Sequence, residues 1–561
     1  MTDHKIIIKK YALQNAIKFG QANPRKIISK VLGEAPELKS KAKEIMTDIK
    51  EIVDQVNSMS KEDMQKEINE IAPDLLEKKT EKRVGLKPLP DAEKGKVVLR
   101  FEPSPSGPMH IGHAYVFGLN VEYRNMYEGK LILRISDTNA SNIDAESYDM
   151  LKQDGDWLSK NKVDEFIIQS DRLDIYYTHA LKLLDAGHIY VCECDNEDFR
   201  QLKEAKTACP CRELVPEVHV KRCHKMFTDY KEGDAVVRFK SDIAHKNPAM
   251  RDFPLLRISD IEHPKTGKEF RVWPLMNFSV AIDDMESGVT HTIRGKDHAD
   301  NAKKQEMIHN VSEFKTPIAL STGRINFEGF PVSCSKTRPK IEDGTYSGWD
   351  DIRIPFLKAL ARQGYQPEAL IKYATEVGLT KTDKSVNLKD FFSVINSFNK
   401  DIVDPISNRY FFVKNPKKIV VEGAPEIEVE LDLHPDKKKG GRAFQTKGEF
   451  FIDGDDKLEE GKIYRLMDCL NFTFKDNKCV FHSKSYDDVK DNSNCRIIHW
   501  VIDDNTVNVE VLMPNNTTAS GIGEKYINDI KENEIVQLER FGFVRCDSIT
   551  PDKTVFWFAH R

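Results

Sequence analysis

Apolar positions follow three rhythms along this chain. In residues 1–80, Leu38, Ala42, Ile45, Ile49, Ile52 and Val56 recur at spacings of four and three, the stripe of an amphipathic helix. A small helical domain is predicted there, with Ser60 and Asp63 as a capping box for its next helix. Residues 79–96, charged and carrying Pro and Gly, read as a linker within a region 1–95. From residue 96 the rhythm becomes strand and helix in turn. Apolar runs at 96–101, at 131–135 and beginning at 167 are separated by helical patterns at 114–127, 149–158 and 172–186. This alternation predicts a parallel sheet covered on both faces. Val236–Lys240, Pro254–Ile258 and Ile325–Phe327 read as further strands, and residues 350–400 as helices. From about residue 410 the period is two: Ile427, Val429, Leu431 and Leu433 alternate with Glu428, Glu430 and Asp432. Similar runs at 497–501, 507–511 and 535–541 predict β-barrels.

Composition narrows this picture. A chain of 561 residues needs several cores. No run approaches the roughly 20 apolar residues of a membrane span, and the first residues lack a signal peptide's apolar stretch. A cytoplasmic protein without a membrane partner is the expectation. The net charge of −5 gives no global basic field, so any nucleic-acid contact must rest on local patches.

Two stretches carry candidate chemistry. Arg100–Ala114, RFEPSPSGPMHIGHA, leaves a strand, breaks at three prolines and a glycine, and restarts as a helix. His110 and His113 share one face at that helix's N-terminus, where free N–H groups and the dipole favour phosphate. The second stretch holds Cys192, Cys194, Cys209 and Cys211, two CxC pairs that can close a tetrahedral Zn²⁺ site of structural type. Cys223 or His224 replacing one ligand, or four free thiols, are the alternatives.

The string ending in His110-Ile111-Gly112-His113 resembles the HIGH signature of class I aminoacyl-tRNA synthetases, and with Pro103–Pro108 it resembles glutamyl-tRNA synthetases in particular. Val332-Ser333-Cys334-Ser335-Lys336 resembles the second signature, KMSKS, in degenerate form. The barrel-like tail resembles the archaeal and eukaryotic anticodon-binding region, not the helical one of bacterial glutamyl enzymes. The resemblance implies an α/β Rossmann-like catalytic domain over 96–340 with a zinc-stabilised insertion at about 190–270, an N-terminal helical domain, a helical connection over 341–405 and a β-barrel anticodon-binding region over 406–561. It implies catalytic roles for His110, His113 and Lys336. ATP, with Mg²⁺, would meet Gly112, Asp297, Ser335 and Lys336. L-Glutamate would meet Arg100, Ser104, Ser136, Trp273, Asn277 and Arg294, the last pairing with the side-chain carboxylate, for which a planar fork suits an acid better than an amide. The implied partners are tRNA(Glu), with tRNA(Gln) as a second substrate in some lineages, and the implied state is a monomer.

One departure stands out. The family's R-x-E-D-T or R-x-D-D-T reads Arg134-Ile135-Ser136-Asp137-Thr138 here, so the acid that meets the substrate's α-ammonium is absent. Either Asp137 takes its part or the pocket holds glutamate less tightly. The competing readings are a glutaminyl-tRNA synthetase, a small nucleotidyltransferase of the same fold, and a non-catalytic tRNA-binding paralogue.

Overall fold

The structure is a computed structural model, and it describes residues 3–72, 85–330 and 332–561. Contacts divide the chain into two compact units, Met1–Val84 and Gly85–Arg561. The first contains helices α1 (Asp3–Phe19), α2 (Pro24–Glu34), α3 (Ala42–Asn57) and α4 (Lys61–Ile71). The predicted stripe is its core: Ile45, Ile49, Ile52 and Val56 are buried with Ile8, Leu13, Val31 and Ile68, and Leu38 packs partly buried against them. The side chain of Ala42 is outside the described residues. Ser60 caps α4 through one half of the expected box: its Oγ accepts from the Asp63 N–H at 3.1 Å and donates to the Asp63 carboxylate at 2.7 Å. Residues 79–84 of the expected linker are outside the described residues, and 85–97 run without helix or strand.

The second unit opens with the predicted alternation: β1 (Val98–Phe101), α5 (Ile111–Tyr127), β2 (Lys130–Ile135), α6 (Ser147–Ser159), β3 (Glu165–Ile168) and α7 (Leu173–Asp185). The third strand ends at Ile168, where the sequence suggested it began. The chain then leaves the sheet. β4 (Ile189–Cys192), β5 (Val236–Phe239), β6 (Pro254–Ile258) and β7 (Val272–Pro274) form an antiparallel ribbon, with α8 (Asn196–Glu204) and α9 (Pro216–Thr228) between β4 and β5. It returns through α10 (Met276–Glu286) to β8 (His291–Gly295), α11 (Ala299–Val311) and β9 (Ile318–Thr322). The main sheet runs β3-β2-β1-β8-β9, with every pair parallel. Leu99, Phe101, Leu131 and Leu133 bury its face against Phe117 and Val121 of α5. Successive strands run outward from β1 in one direction and then from β8 in the other. The crevice between their carboxyl ends is therefore the topological switch point where such sheets bind ligands.

Beyond the sheet lie β10 (Ile325–Glu328), α12 (Cys334–Glu342), α13 (Leu357–Gln363), α14 (Pro367–Val377), β11 (Lys384–Asn387) and α15 (Leu388–Val403). The remaining chain forms a six-stranded and a seven-stranded sheet plus a hairpin of Ile427–His434 with Lys437–Thr446. The predicted alternation holds over Glu428–Leu431, where Val429 and Leu431 are buried and Glu428 and Glu430 exposed, and lapses at the bulge between Asp432 and His434, where His434 rather than Leu433 is buried. Arg362 of α13 ties the helices to the last sheet: its guanidinium forks the Asp547 carboxylate at 2.8 Å on both sides and lies 4.1 Å from the Trp557 ring centre. No helix among the described residues is long and apolar enough to cross a membrane.

Candidate active site

The two histidines build the start of α5 themselves. His110 caps it, its Nδ1 accepting from the N–H groups of Gly112 (3.1 Å) and His113 (3.3 Å), while His113 Nδ1 accepts from the His110 N–H at 3.4 Å. With both δ nitrogens accepting, each neutral ring carries its proton on Nε2. The rings stack, 3.8 Å between centres at 11°. Burial lowers the His113 pKa to about 4, and burial together with His113 keeps His110 well below its ordinary value. The pair is thus two neutral donors at a helix N-terminus. Gly112 is needed for this, because a Cβ there would stand 3.0 Å from the His110 ring.

A cleft of about 570 Å³ brings these residues together with the second signature: His110, Gly112, His113, Gly295, Asp297, Ser333 and Lys336 line it. Lys336 is exposed in the first turn of α12 and has no ion-pair partner among the described residues. Ser335, exposed beside it, shares a hydrogen bond with Ser333 at 3.0 Å and is not part of the lining. The Asp297 carboxylate folds over Gly295, where a Cβ would come within 2.3 Å of it. The two signature segments touch directly. Cys334 Sγ lies 3.5 Å from the Pro108 carbonyl, and Arg338 donates to the Ser106 carbonyl at 2.7 Å and pairs with Asp144 at 2.8 Å. Gly107, at φ +151°, permits that approach, since any Cβ would meet Cys334 Sγ at 2.8 Å.

Arg338 and Asp154 escaped the sequence reading. Asp154 accepts from the Met109 N–H at 2.6 Å, and burial pushes its carboxyl up to about 7. Arg338 stands two residues after Lys336, a signal that was available. Asp154, remote in sequence and inside a helical pattern, left none.

The residues expected to read the amino acid lie outside that cleft's lining. Arg100 is buried and forks Asp284, Nε to Oδ1 and Nη2 to Oδ2. Arg294 donates to Gln305 Oε1 at 2.5 Å and to Glu102 Oε1 at 3.4 Å, and it lines a second cavity of about 320 Å³ with Asp284, Thr292 and His309. Ser136 Oγ accepts from Arg134 Nη1 at 2.6 Å. Asn277, in the first turn of α10, has a buried Oδ1 without a partner. Trp273 is 2% exposed and stacks on His263 at 4.8 Å inside the ribbon's core, while Ser104 is exposed on the loop. Asp137 is fully buried, with both oxygens taken by Tyr148 and Ser170.

The four cysteines of the insertion converge. Their sulfurs lie within 4.8 Å of one another, three of the side chains buried. Sγ–Sγ separations are 3.9 Å for Cys192–Cys209 and 3.8 Å for Cys194–Cys211. Cys223 packs in the apolar core around α7 and α9 instead, so it is not a fifth member. Four thiols this close, none in a disulfide, fit a tetrahedral thiolate metal site.

A parallel sheet whose switch point presents a histidine-capped helix to a lysine-bearing one is the catalytic fold of a class I synthetase. Within that class the chain belongs to the tRNA synthetases of the glutamyl and glutaminyl (E and Q) type. The family's catalytic-domain model matches residues 96–402, and its two anticodon-binding-domain models match 407–487 and 497–547. Among its relatives, a protein from Methanococcus maripaludis named glutamate–tRNA ligase is 41% identical over 99% of this chain and 100% of its own length. Proteins of the same name from Thermococcus kodakarensis (42% identical, 100% of both chains) and Methanocaldococcus jannaschii (41% identical, 98% of this chain and 99% of the relative) are similar to the same extent.

Proposed function

We propose that this chain is a glutamate–tRNA ligase of the archaeal type. The observation that carries the reading is the full-length similarity to proteins of that name, combined with two buried guanidiniums, Arg100 and Arg294, and a nucleotide-sized cleft lined by both signatures. Glutamate's α-carboxylate attacks the α-phosphorus of ATP, pyrophosphate leaves, and the glutamyl group passes to the 2′-hydroxyl at the tRNA's 3′ end. Charge builds on the phosphoryl oxygens during the first step, so catalysis is chiefly positioning and electrostatic stabilisation. The Nε2–H groups of His110 and His113 donate to the α-phosphate region. Lys336 holds the leaving phosphates with Ser335 beside it, Asp297 holds the ribose, and Arg294 reads the substrate's side-chain carboxylate. Asp297 is the one acid in the cleft lining, so accompanying Mg²⁺ would be held mainly by the phosphates, whose charge it neutralises. Zn²⁺ on Cys192, Cys194, Cys209 and Cys211 would be structural.

We infer further that the chain is a monomer and charges both tRNA(Glu) and tRNA(Gln) with glutamate. The test is aminoacylation of each purified tRNA with labelled glutamate. Incorporation into both is expected; incorporation into tRNA(Glu) alone overturns the broader tRNA range, and into neither overturns the ligase.

A further inference from the structure

We propose that Glu102 is the acid that binds the α-ammonium of the substrate amino acid, in place of the carboxylate absent at Ser136. This rests on reading the crevice between β1, β2 and β8 as the amino-acid pocket. A zwitterionic substrate held out of water needs an acceptor of opposite charge for its ammonium. Three guanidiniums, of Arg100, Arg134 and Arg294, face acids from Asp283, Asp284 and Glu102 in this crevice.

Elimination leaves one of these acids able to accept. Asp284 is 1% exposed and spends both oxygens on the fork from Arg100. Asp283, 2% exposed, accepts from Arg134 (2.6 Å), Tyr176 (2.6 Å) and Arg172 (2.7 Å). Asp137 is fully buried and already accepts from Tyr148 and from the Ser170 N–H and hydroxyl. Ser136 offers an uncharged oxygen already engaged by Arg134. Glu102 is less committed. Its side chain keeps 14% exposure, Oε1 has only the long 3.4 Å bond from Arg294, and Oε2, buried and ion-paired with Arg100 Nη1 at 2.9 Å, makes no hydrogen bond.

Register puts Glu102 where the missing acid is needed. Phe101 pairs with Leu133 on β2, and Arg100 with Thr292 on β8. Continued past the strand ends, the same register sets Glu102 between Arg134 and Arg294 in one row. Side chains two apart share a sheet face, so Ser136 follows Arg134 on the face that carries Glu102. The Ser136 N–H donates to the Pro103 carbonyl at 3.0 Å, which holds the two segments side by side. Burial pushes the Glu102 carboxyl up, but Arg100, Arg294 and Arg134 together more than reverse this and hold it below its ordinary value, so it is ionised.

The experiment is glutamate-dependent ATP–pyrophosphate exchange with tRNA present, on the full chain and Glu102→Gln. E102Q is expected to raise the KM for L-glutamate about 10–100-fold with a smaller change in kcat. Glutarate, which has both carboxylates and no ammonium, should inhibit E102Q as well as it inhibits the parent, or better. Equal weakening of both ligands, or an unchanged KM, overturns the proposal, the first by showing that Glu102 merely spaces the arginines. Should E102Q not fold, Glu102→Ala is compared with and without Ser136→Glu. Recovery of KM to within a few-fold of the parent supports the proposal, and no recovery overturns it. A parent chain without glutamate-dependent exchange overturns the reading of the pocket, and the proposal with it.

Discussion

The two histidines of α5 are held neutral, and that has a consequence for the pH dependence of folding. His113 has a folded-state pKa of about 4 against an ordinary 6.5. Between those values the unfolded chain binds a proton that the folded chain does not. Stability therefore falls as pH drops from 6.5 towards 4, with a slope of up to ~1.4 kcal/mol per pH unit for each such histidine. His113→Asn keeps an oxygen to accept from the His110 N–H and removes the titration. Urea unfolding at pH 7.5, 6.5 and 5.5 should show a smaller loss for H113N than for the parent; parallel losses would contradict the neutral assignment. The histidines and Lys336 were readable in the sequence because each sits in a contiguous string. Glu102 lies inside such a string too, yet its importance was not readable. It depends on which oxygens of Asp137, Asp283 and Asp284 are already taken, and those partners come from segments up to about 180 residues away.

At the scale of elements, the alternation from 96 to 186 gave the order of the first strands and helices, because apolar runs and helical stripes have different periods. The start of α5 was legible from the His110–His113 string, although a histidine cap carries no apolar periodicity. The ribbon was harder. Every residue of Ile189–Cys192 is buried, and a short run buried on both faces has no period to read. The insertion's cysteines are braced against this ribbon. Arg212, next to Cys211, pairs with Asp252 at 2.6 Å, and Asp252 also accepts from Tyr190 at 2.8 Å. A bound metal should therefore stabilise the ribbon without touching the chemistry. Elemental analysis after exhaustive dialysis should find about one zinc per chain, and Cys209→Ser should lose most of it and melt at lower temperature. A parent chain free of zinc, with unchanged stability in a chelator, would show that the four thiols are only packed together.

For the whole molecule, the net charge of −5 gives no warning of a tRNA partner, and the period-two tail was the only large-scale sign of one. That tail was read as barrel strands, and it is the family's anticodon-binding region, built on two mixed sheets in which parallel pairs, such as Ile463–Leu466 with Cys495–Ile498, join segments distant in sequence. Such pairings leave no local trace, whereas the alternation within each strand does. On this reading the molecule selects an acid by presenting Arg294 to the amino acid's side chain. An amide in that place forfeits the charge-assisted fork that a carboxylate makes with a guanidinium, and sites built around such a partner discriminate by large factors. The most direct test is kcat/KM for glutamate against glutamine in aminoacylation of the same tRNA(Glu). The predicted ratio is at least about 10³ in favour of glutamate; a ratio near one, or robust charging with glutamine, would contradict it.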